Sequence, residues 1–563
     1  MTFAPEPPRG LRNPILPGFN PDPSIARRGD DYYIATSTFE WLPAVQLHHS
    51  TDLAHWELVG HAITDRRIDL RGIHPSGGVW APCLSVDPED GRFYLVFSIM
   101  KSQTVDVFDV DNFVIWADEI TGPWSEPLYV NSVGFDSSLF HDDDGSKWLV
   151  TLEWETRPGY QHPGSIVAQR FDPATGEVGA PVRIHQGTSD RGALEAPHLY
   201  KRDGRYYLMT AEGGTGYGHS VCLARAERVC GPYESDPIGP FLTSAPQPYF
   251  GRDYRDFLRP EFFNPDAPMQ KAGHGSLVES TDGRWWVAHL SSRPLPGTTS
   301  CVLGRETSLQ EVRWNDDGWL RMTTPGPMPQ EYVDLPGEDI STSDLDVEMG
   351  AAGALSPHFA SLRAPIDPSW CVSAPEGLRV RGRDSLHSRF DVSLVATRLR
   401  AFTAVAETTF EAAPVRYSQA AGMTLFYDDR NFLFARVSWS EQYESRTIAL
   451  VRARTVDEFD EVLVEQPIPD GPVTVRLQVD QGLATFAWRP EAGAWHDLGG
   501  SVDSQFMSDD VIRGFTGQFI GMAVVDALGK SLEATFTDFA VRYPAAEVRD
   551  AADDRRLPTH TTP

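Results

Sequence analysis

Three carboxylates stand out because each heads the same kind of phrase: Asp22 in DPSIA, Asp136 in DSSLF and Glu195 in EAPHL. Trp80 in WAPCL and His274 in HGSLV head two more. From Asp22, Asp136, Glu195 and His274 a turn-forming aspartate follows eight residues on, at Asp30, Asp144, Asp203 and Asp282. Residues at one phase of a structural repeat converge on folding, so the three carboxyls are expected to share a site. Carboxyls so placed cannot all ionise freely, because repulsion and burial raise at least one pKa. That leaves a proton donor beside a proton acceptor near neutral pH. The chemistry that most often needs this pair is glycosidic bond cleavage. A separation of about 6.5–9.5 Å leaves room for a water and inverts the anomeric centre, whereas about 5–5.5 Å gives retention.

The elements that must position these residues are hairpins. A glycine-containing turn leads into an aromatic-rich run five times, as GDDYYIATS, DGRFYLVFS, DGSKWLVTL, DGRYYLMTA and DGRWWVAHL. They begin at Gly29, Asp90, Asp144, Asp203 and Asp282, and the Trp80 copy has the longer turn VDPEDG. Asp-Gly between β-prone runs is a strong hairpin signal. Repeats of this size, rich in short strands, predict a β-propeller with one four-stranded sheet per repeat. One strand of each blade then lines the central axis, where the lead residues would meet. Corners that were merely solvated would have no reason to select Asp, Trp, Asp, Glu and His.

Longer motifs carry a family resemblance. NPILPGFNPDPSI, YYIATSTFEW, SGGVWAPCL, GFDSSLFHDDDG, EAPHLYKRDGRYYLMTAEGGTGYGH and LGRETSLQ, in this order, resemble glycoside hydrolase family 43. Its two-domain β-xylosidases are the nearest likeness, over nearly the whole chain. The resemblance implies a five-bladed propeller and hydrolysis by inversion. It implies that Asp22 is the general base, Glu195 the general acid, and Asp136 the third carboxylate that raises and orients the acid. Arg305, in LGRETS, matches an arginine that binds sugar hydroxyls, and Trp80 and Phe39 match apolar faces against the pyranose ring. His274 matches a histidine near the propeller axis that in some members binds Ca2+ or a water cluster. It is therefore expected either as a metal ligand or as a hydrogen-bonded core residue; no cofactor is required. The acidic HDDDG of residues 141–145 lacks the closing glutamate of a calcium loop and reads as a hairpin turn.

Beyond DGWLRMTTP the texture changes. Residues 325–349 are Pro-rich and acidic and read as a linker. Residues 350–545 alternate in short segments such as FLFARVSW and TVRLQVD, which reads as a β-sandwich. By resemblance the sandwich contributes to the active-site rim, with Phe515 in GFTGQFIGM either at that rim or in the sandwich core. The polar stretch 546–563 reads as a disordered tail. The fold class is thus all-β, a five-bladed β-propeller over residues 1–324 followed by a β-sandwich.

Composition bounds the partners. A net charge of −30 repels phosphate backbones and excludes nucleic acid. No apolar run reaches the ~18 residues of a membrane span, and MTFAPEPPRGLRNP is not a secretory signal. Five cysteines, Cys83, Cys222, Cys230, Cys301 and Cys371, have no ligand spacing and point to a reducing cytoplasm. The expected activity is an exo-acting, inverting β-1,4-xylosidase that releases D-xylose from the non-reducing end of xylo-oligosaccharides. Two alternatives stay open: an α-L-arabinofuranosidase or bifunctional enzyme, and a non-catalytic carbohydrate-binding propeller. The resemblance also implies a homo-oligomer, dimer or tetramer.

Overall fold

A computed structural model of the chain describes residues 10–103, 108–154, 164–246 and 258–544. The stretch 546–563, expected as a tail, lies outside these. The chain divides into two compact units. The first comprises Met1–Ser292, Arg305–Ile340 and Leu362–Pro365, and the second Arg293–Gly304, Ser341–Ser361 and Ile366–Pro563.

The first unit is five antiparallel sheets. Their innermost strands are Ser24–Arg28, Gly78–Val86, Gly134–His141, Glu195–Arg202 and Gln270–Glu279. Each is followed outward by the strand of its hairpin: Asp31–Thr36, Phe93–Gln103, Lys147–Glu153, Arg205–Glu212 and Trp285–Ser292. The inner strands touch in sequence, and the fifth packs against the first, so the ring closes into the expected five-bladed propeller. The hairpin glycines Gly29, Gly91, Gly145, Gly204 and Gly283 all have positive φ, the conformation that only glycine adopts without strain. HDDDG is a turn as expected, with the Gly145 N–H donating to the Asp142 carbonyl at 3.0 Å.

The aromatic doublets of the repeats have a simple cause. Successive residues of a strand point to opposite faces, and each blade is flanked by two others. Tyr32 accordingly packs with Trp286 of the fifth blade, while Tyr33 packs with Phe93 of the second, ring centroids 5.1 Å apart. In the third blade Lys147 takes the first aromatic's place. It is buried facing the second blade, and its charge is met by Asp87 at 2.7 Å.

Ring closure uses the N-terminal segment. Leu11–Arg12 pairs with Tyr332–Val333, within the Pro-rich stretch read as a linker. Buried Asn13 completes the seam: its Nδ2 donates to the Leu309 carbonyl and its Oδ1 accepts the Leu309 N–H, both at 2.8 Å.

The second unit is a β-sandwich by its sheets. One includes Cys371–Ala374, Gly377–Arg381, Glu533–Arg542, Thr403–Ala412, Val473–Asp480, Leu483–Pro490 and His496–Asp503, in that order. The other runs Ser393–Arg398, Phe519–Asp526, Gln419–Asp428, Asn431–Ser440, Ser445–Ala453 and Glu461–Pro467. Thr403–Ala412 buries every second residue, the pattern of a strand with one covered face. Among the described residues, no helix is long and apolar enough to cross a membrane.

The seam can be tested directly. Asn13→Ala leaves the buried N–H and carbonyl of Leu309 without their partner, which costs about 2–3 kcal/mol. A thermal melt should show the transition lowered by several degrees, whereas an unchanged transition would show that closure does not depend on this amide.

Candidate active site

In or just before each inner strand stands a non-glycine residue in the left-handed region: Asp22 (φ 54°), Ala81 (41°), Asp136 (55°), Ala196 (48°) and His274 (51°). Strand pairing is interrupted at the same place, between Trp80 and Cys83, Phe135 and Ser138, Glu195 and His198, and Gly273 and Gly275. Regular pairing in the first blade starts at Ser24. This common bulge corrects the phase expected from the sequence. Asp22, Asp136 and His274 occupy the left-handed position itself, whereas Trp80 and Glu195 stand one residue before it. The equal eight-residue steps conceal the offset because the hairpins differ. Arg202 pairs with Arg205 across a two-residue turn in the fourth blade, while His141 pairs with Lys147 across a longer one in the third.

The carboxylates nonetheless converge. Asp136 Oδ2 accepts the Ala196 N–H at 3.0 Å, tying the third blade to the residue after Glu195. Asp22 Oδ2 accepts the Ser37 hydroxyl at 2.7 Å, and Ser37 Oγ accepts the Ala81 N–H at 2.7 Å. Asp22 Oδ1 faces His274 Nδ1 at 3.6 Å. Sequence reasoning missed Ser37 and the Ala196 N–H; one is a small hydroxyl in TSTFEW, and the other is backbone with no residue signal.

Their electrostatics diverge. Burial, then the charges of Asp136 and Asp22, push Glu195 well above the usual carboxyl range, and the Arg305 cation opposes them. Burial also raises Asp136 to about 6, against the pull of His274 and the Ala196 N–H and with the charge of Asp22. Glu195 is therefore the carboxyl biased toward its protonated form, while Asp136 titrates at about 6.

The aromatic side of the site is continuous. Phe39 lies between Phe19 and Trp80, with ring centroids at 5.5 and 5.8 Å, and Trp80 meets Phe135 edge-on at 5.6 Å. Phe39 is set beside Trp80 by paired backbone bonds with Val79, at 3.0 and 2.9 Å. Gly78 permits that approach, since a Cβ there would lie 2.3 Å from the Phe39 carbonyl oxygen. Arg305 is buried, and its backbone carbonyl accepts the Asn20 N–H at 2.9 Å, two residues before Asp22. Phe515 belongs to the second unit, half-buried in a bend after the short helix Asp509–Ile512.

Calcium at His274 finds little support in the donor set. The ring faces the base candidate Asp22 and, edge-on at 6.4 Å, His198. Among the described residues, the one trio of His, Cys, Asp or Glu with ligand atoms mutually in reach is Cys301, Asp509 and Asp510. Calcium seeks six to eight oxygens, so the described side chains at His274 do not fit it, and no step below runs through an ion.

Comparison with known proteins bears on the family and the fold. Residues 11–320 match the profile of glycosyl hydrolases family 43, and residues 351–542 match the β-xylosidase C-terminal concanavalin A-like domain. A xylosidase/arabinosidase, 43B, of Humicola insolens is 41% identical over 94% of this chain and 97% of its own. A β-xylosidase of Bacillus subtilis is 36% identical over 94% and 99%. The crystal structure of a xylan β-1,4-xylosidase from Bacillus halodurans superposes with a TM-score of 0.87 at 40% identity, covering 94% of this chain and all of that one.

The raised Asp136 carboxyl has a consequence for stability. An unfolded aspartate titrates near 3.9, so between roughly pH 4 and 6 the folded chain holds a proton that the unfolded chain has released. Stability contributed by this group is therefore lost as pH rises through that window. Asp136→Asn, which keeps an acceptor for the Ala196 N–H, should stabilise the fold at pH 7.5 more than at pH 4 by an amount of order 2 kcal/mol, read as a larger rise in melting temperature at the higher pH. Equal shifts at both pH values would remove the electrostatic cost assigned to Asp136.

Proposed function

This chain belongs to glycosyl hydrolases family 43, and on that footing we propose that it is an exo-acting β-1,4-xylosidase. It releases D-xylose from the non-reducing end of xylo-oligosaccharides with inversion at the anomeric carbon. The observation that carries this reading is the convergence of three carboxylates in one cluster, where burial and the charges of Asp136 and Asp22 bias Glu195 toward its protonated form.

In this reading Glu195 donates its proton to the departing glycosidic oxygen. Asp22, oriented by Ser37 and faced by His274, takes a proton from the attacking water. Asp136 acts on the acid in two ways. Its charge keeps the Glu195 proton in place, and its hydrogen bond to the Ala196 N–H fixes the backbone beside it. Arg305 binds sugar hydroxyls, while its cation limits how far the acid's pKa climbs, so that the proton can still leave. Phe39 and Trp80 form an apolar wall for the pyranose ring. A sugar-binding propeller without catalysis would gain nothing from a buried protonated acid.

A second substrate is favoured by one finding, the Humicola insolens relative named for both xylosidase and arabinosidase activity. Action on α-L-arabinofuranosides beside β-D-xylosides is therefore included in the proposal. The ratio of kcat/KM on the two aryl glycosides measures it. None of the five cysteines is in a disulfide, and four of them are buried, which supports a reducing cytoplasm as the place of action.

Proton NMR of xylobiose hydrolysis tests the whole reading. The first signal should be α-D-xylose; β-D-xylose would place a covalent intermediate on Asp22 and overturn inversion. Asp22→Ala should disable xylobiose and activated aryl xylosides alike, by about 1,000-fold or more in kcat, since both need an activated water. Retained turnover of the aryl substrate would move the base to another residue.

A further inference from the structure

Glu195 is the carboxylate that departs from the common blade position, and its backbone is held on both sides in an unfavourable form. Ala193 (φ 45°) and Ala196 (φ 48°) are both left-handed without being glycine. Such residues persist only where surrounding structure over-determines them. On the Ala196 side the constraint is Asp136. On the other side it is a carboxylate the chemistry does not use.

Glu212 is 1% exposed, on the strand Arg205–Glu212, directly after Ala211, the pairing partner of Glu195. Its Oε1 accepts the Thr188 N–H at 2.6 Å, and its Oε2 accepts the Ser189 N–H at 2.8 Å and the Ser189 hydroxyl at 2.5 Å. The next residue, Gly213, donates its N–H to the Gly192 carbonyl at 2.7 Å. Buried Arg191 reaches the other way, to the Gly218 carbonyl at 2.7 Å and the Thr243 hydroxyl at 3.1 Å. The loop of residues 187–194 is thus pinned at successive points, and it ends at Glu195. Burying a carboxylate among N–H dipoles is costly, and burial does raise the Glu212 pKa against those hydrogen bonds. A neutral side chain would serve the fold at lower cost.

The geometry points to Glu212 as a positioning residue for proton donation: by clamping Thr188 and Ser189 it fixes the loop that delivers the Glu195 carboxyl to the leaving oxygen. This rests on the reading of Glu195 as the acid. A misplaced acid hurts substrates that need their leaving group protonated and spares those whose leaving group departs unaided. A merely structural role would depress both equally.

The experiment compares kcat and KM on xylobiose and on 2,5-dinitrophenyl β-D-xyloside for the full-length chain and for Glu195→Ala, Glu212→Gln and Ser189→Ala. Glu212→Gln is expected to lose about 10- to 100-fold in kcat on xylobiose and about threefold or less on the aryl substrate, with KM changed by less than about twofold. Ser189→Ala, which removes one of the three bonds, should show the same preference more weakly, and it carries the test if Glu212→Gln fails to fold. If Glu195→Ala discriminates between the two substrates but neither clamp variant does, the positioning role is overturned while the acid stands. If Glu195→Ala does not discriminate either, the acid assignment fails and this inference falls with it.

Discussion

The structure turns on a backbone constraint repeated five times: a left-handed, non-glycine residue where the regular pairing of each innermost strand is interrupted or about to start. The region is disfavoured for residues with a Cβ, at a cost of order 1–3 kcal/mol each. The bulge it creates stops the strand from pairing and turns the chain toward the axis. Where that residue is Asp22, Asp136 or His274, the turn delivers a titratable side chain. The strain is offset by packing between blades, since each hairpin strand buries large residues on both faces and the ring closes through Asn13 and Leu309. A propeller suits this chemistry because the stabilising contacts lie between the blades. The end of the axis is left free to hold groups that repel one another.

That repulsion is the source of the proposed activity. Burial raises both Asp136 and Glu195; what differs between them is their partners. Asp136 has a backbone N–H and the pull of His274, whereas Glu195 feels the negative charges of Asp136 and Asp22, with Arg305 as counterweight. No charge here is placed for stability. Asp136 is worth more to the fold protonated than ionised, and the molecule bears that cost at neutral pH.

The hairpins, the five repeats and the acidic trio were legible in the sequence, because Asp-Gly turns and aromatic doublets are local signals with local causes. The phase of Glu195 was not. Counting to the next turn aspartate assumes equal hairpins, but the first and fourth blades both have two-residue turns, with the aspartate second in one (Gly29-Asp30) and first in the other (Asp203-Gly204). Ser37 and Glu212 were invisible for a different reason. Each acts through a bond to a residue on another strand or loop, and nothing in TSTFEW or TAEGGTG distinguishes a hydroxyl or carboxylate so employed from an ordinary one. Lys147, buried where other blades carry an aromatic, is legible only in retrospect. Its partner Asp87 lies in VDPEDG, a turn that reads as solvated.

The offset of Glu195 has its own logic. In an inverting reaction the proton donor and the water-activating base work on opposite faces of one sugar ring. Two carboxylates at the same position of two blades are related by rotation about the axis, and they present themselves in the same pose. Moving one of them a single residue upstream places it on the loop side of the bulge, with a different backbone and a longer side chain, while the left-handed turn beside it is kept. The residue then no longer inherits its position from the blade, so it must be held separately. The Ala196 N–H on Asp136 and the pinned loop of residues 187–194 do that from its two sides. The repeat supplies the proposed base and modulating carboxylate; breaking the repeat by one residue supplies the proposed acid.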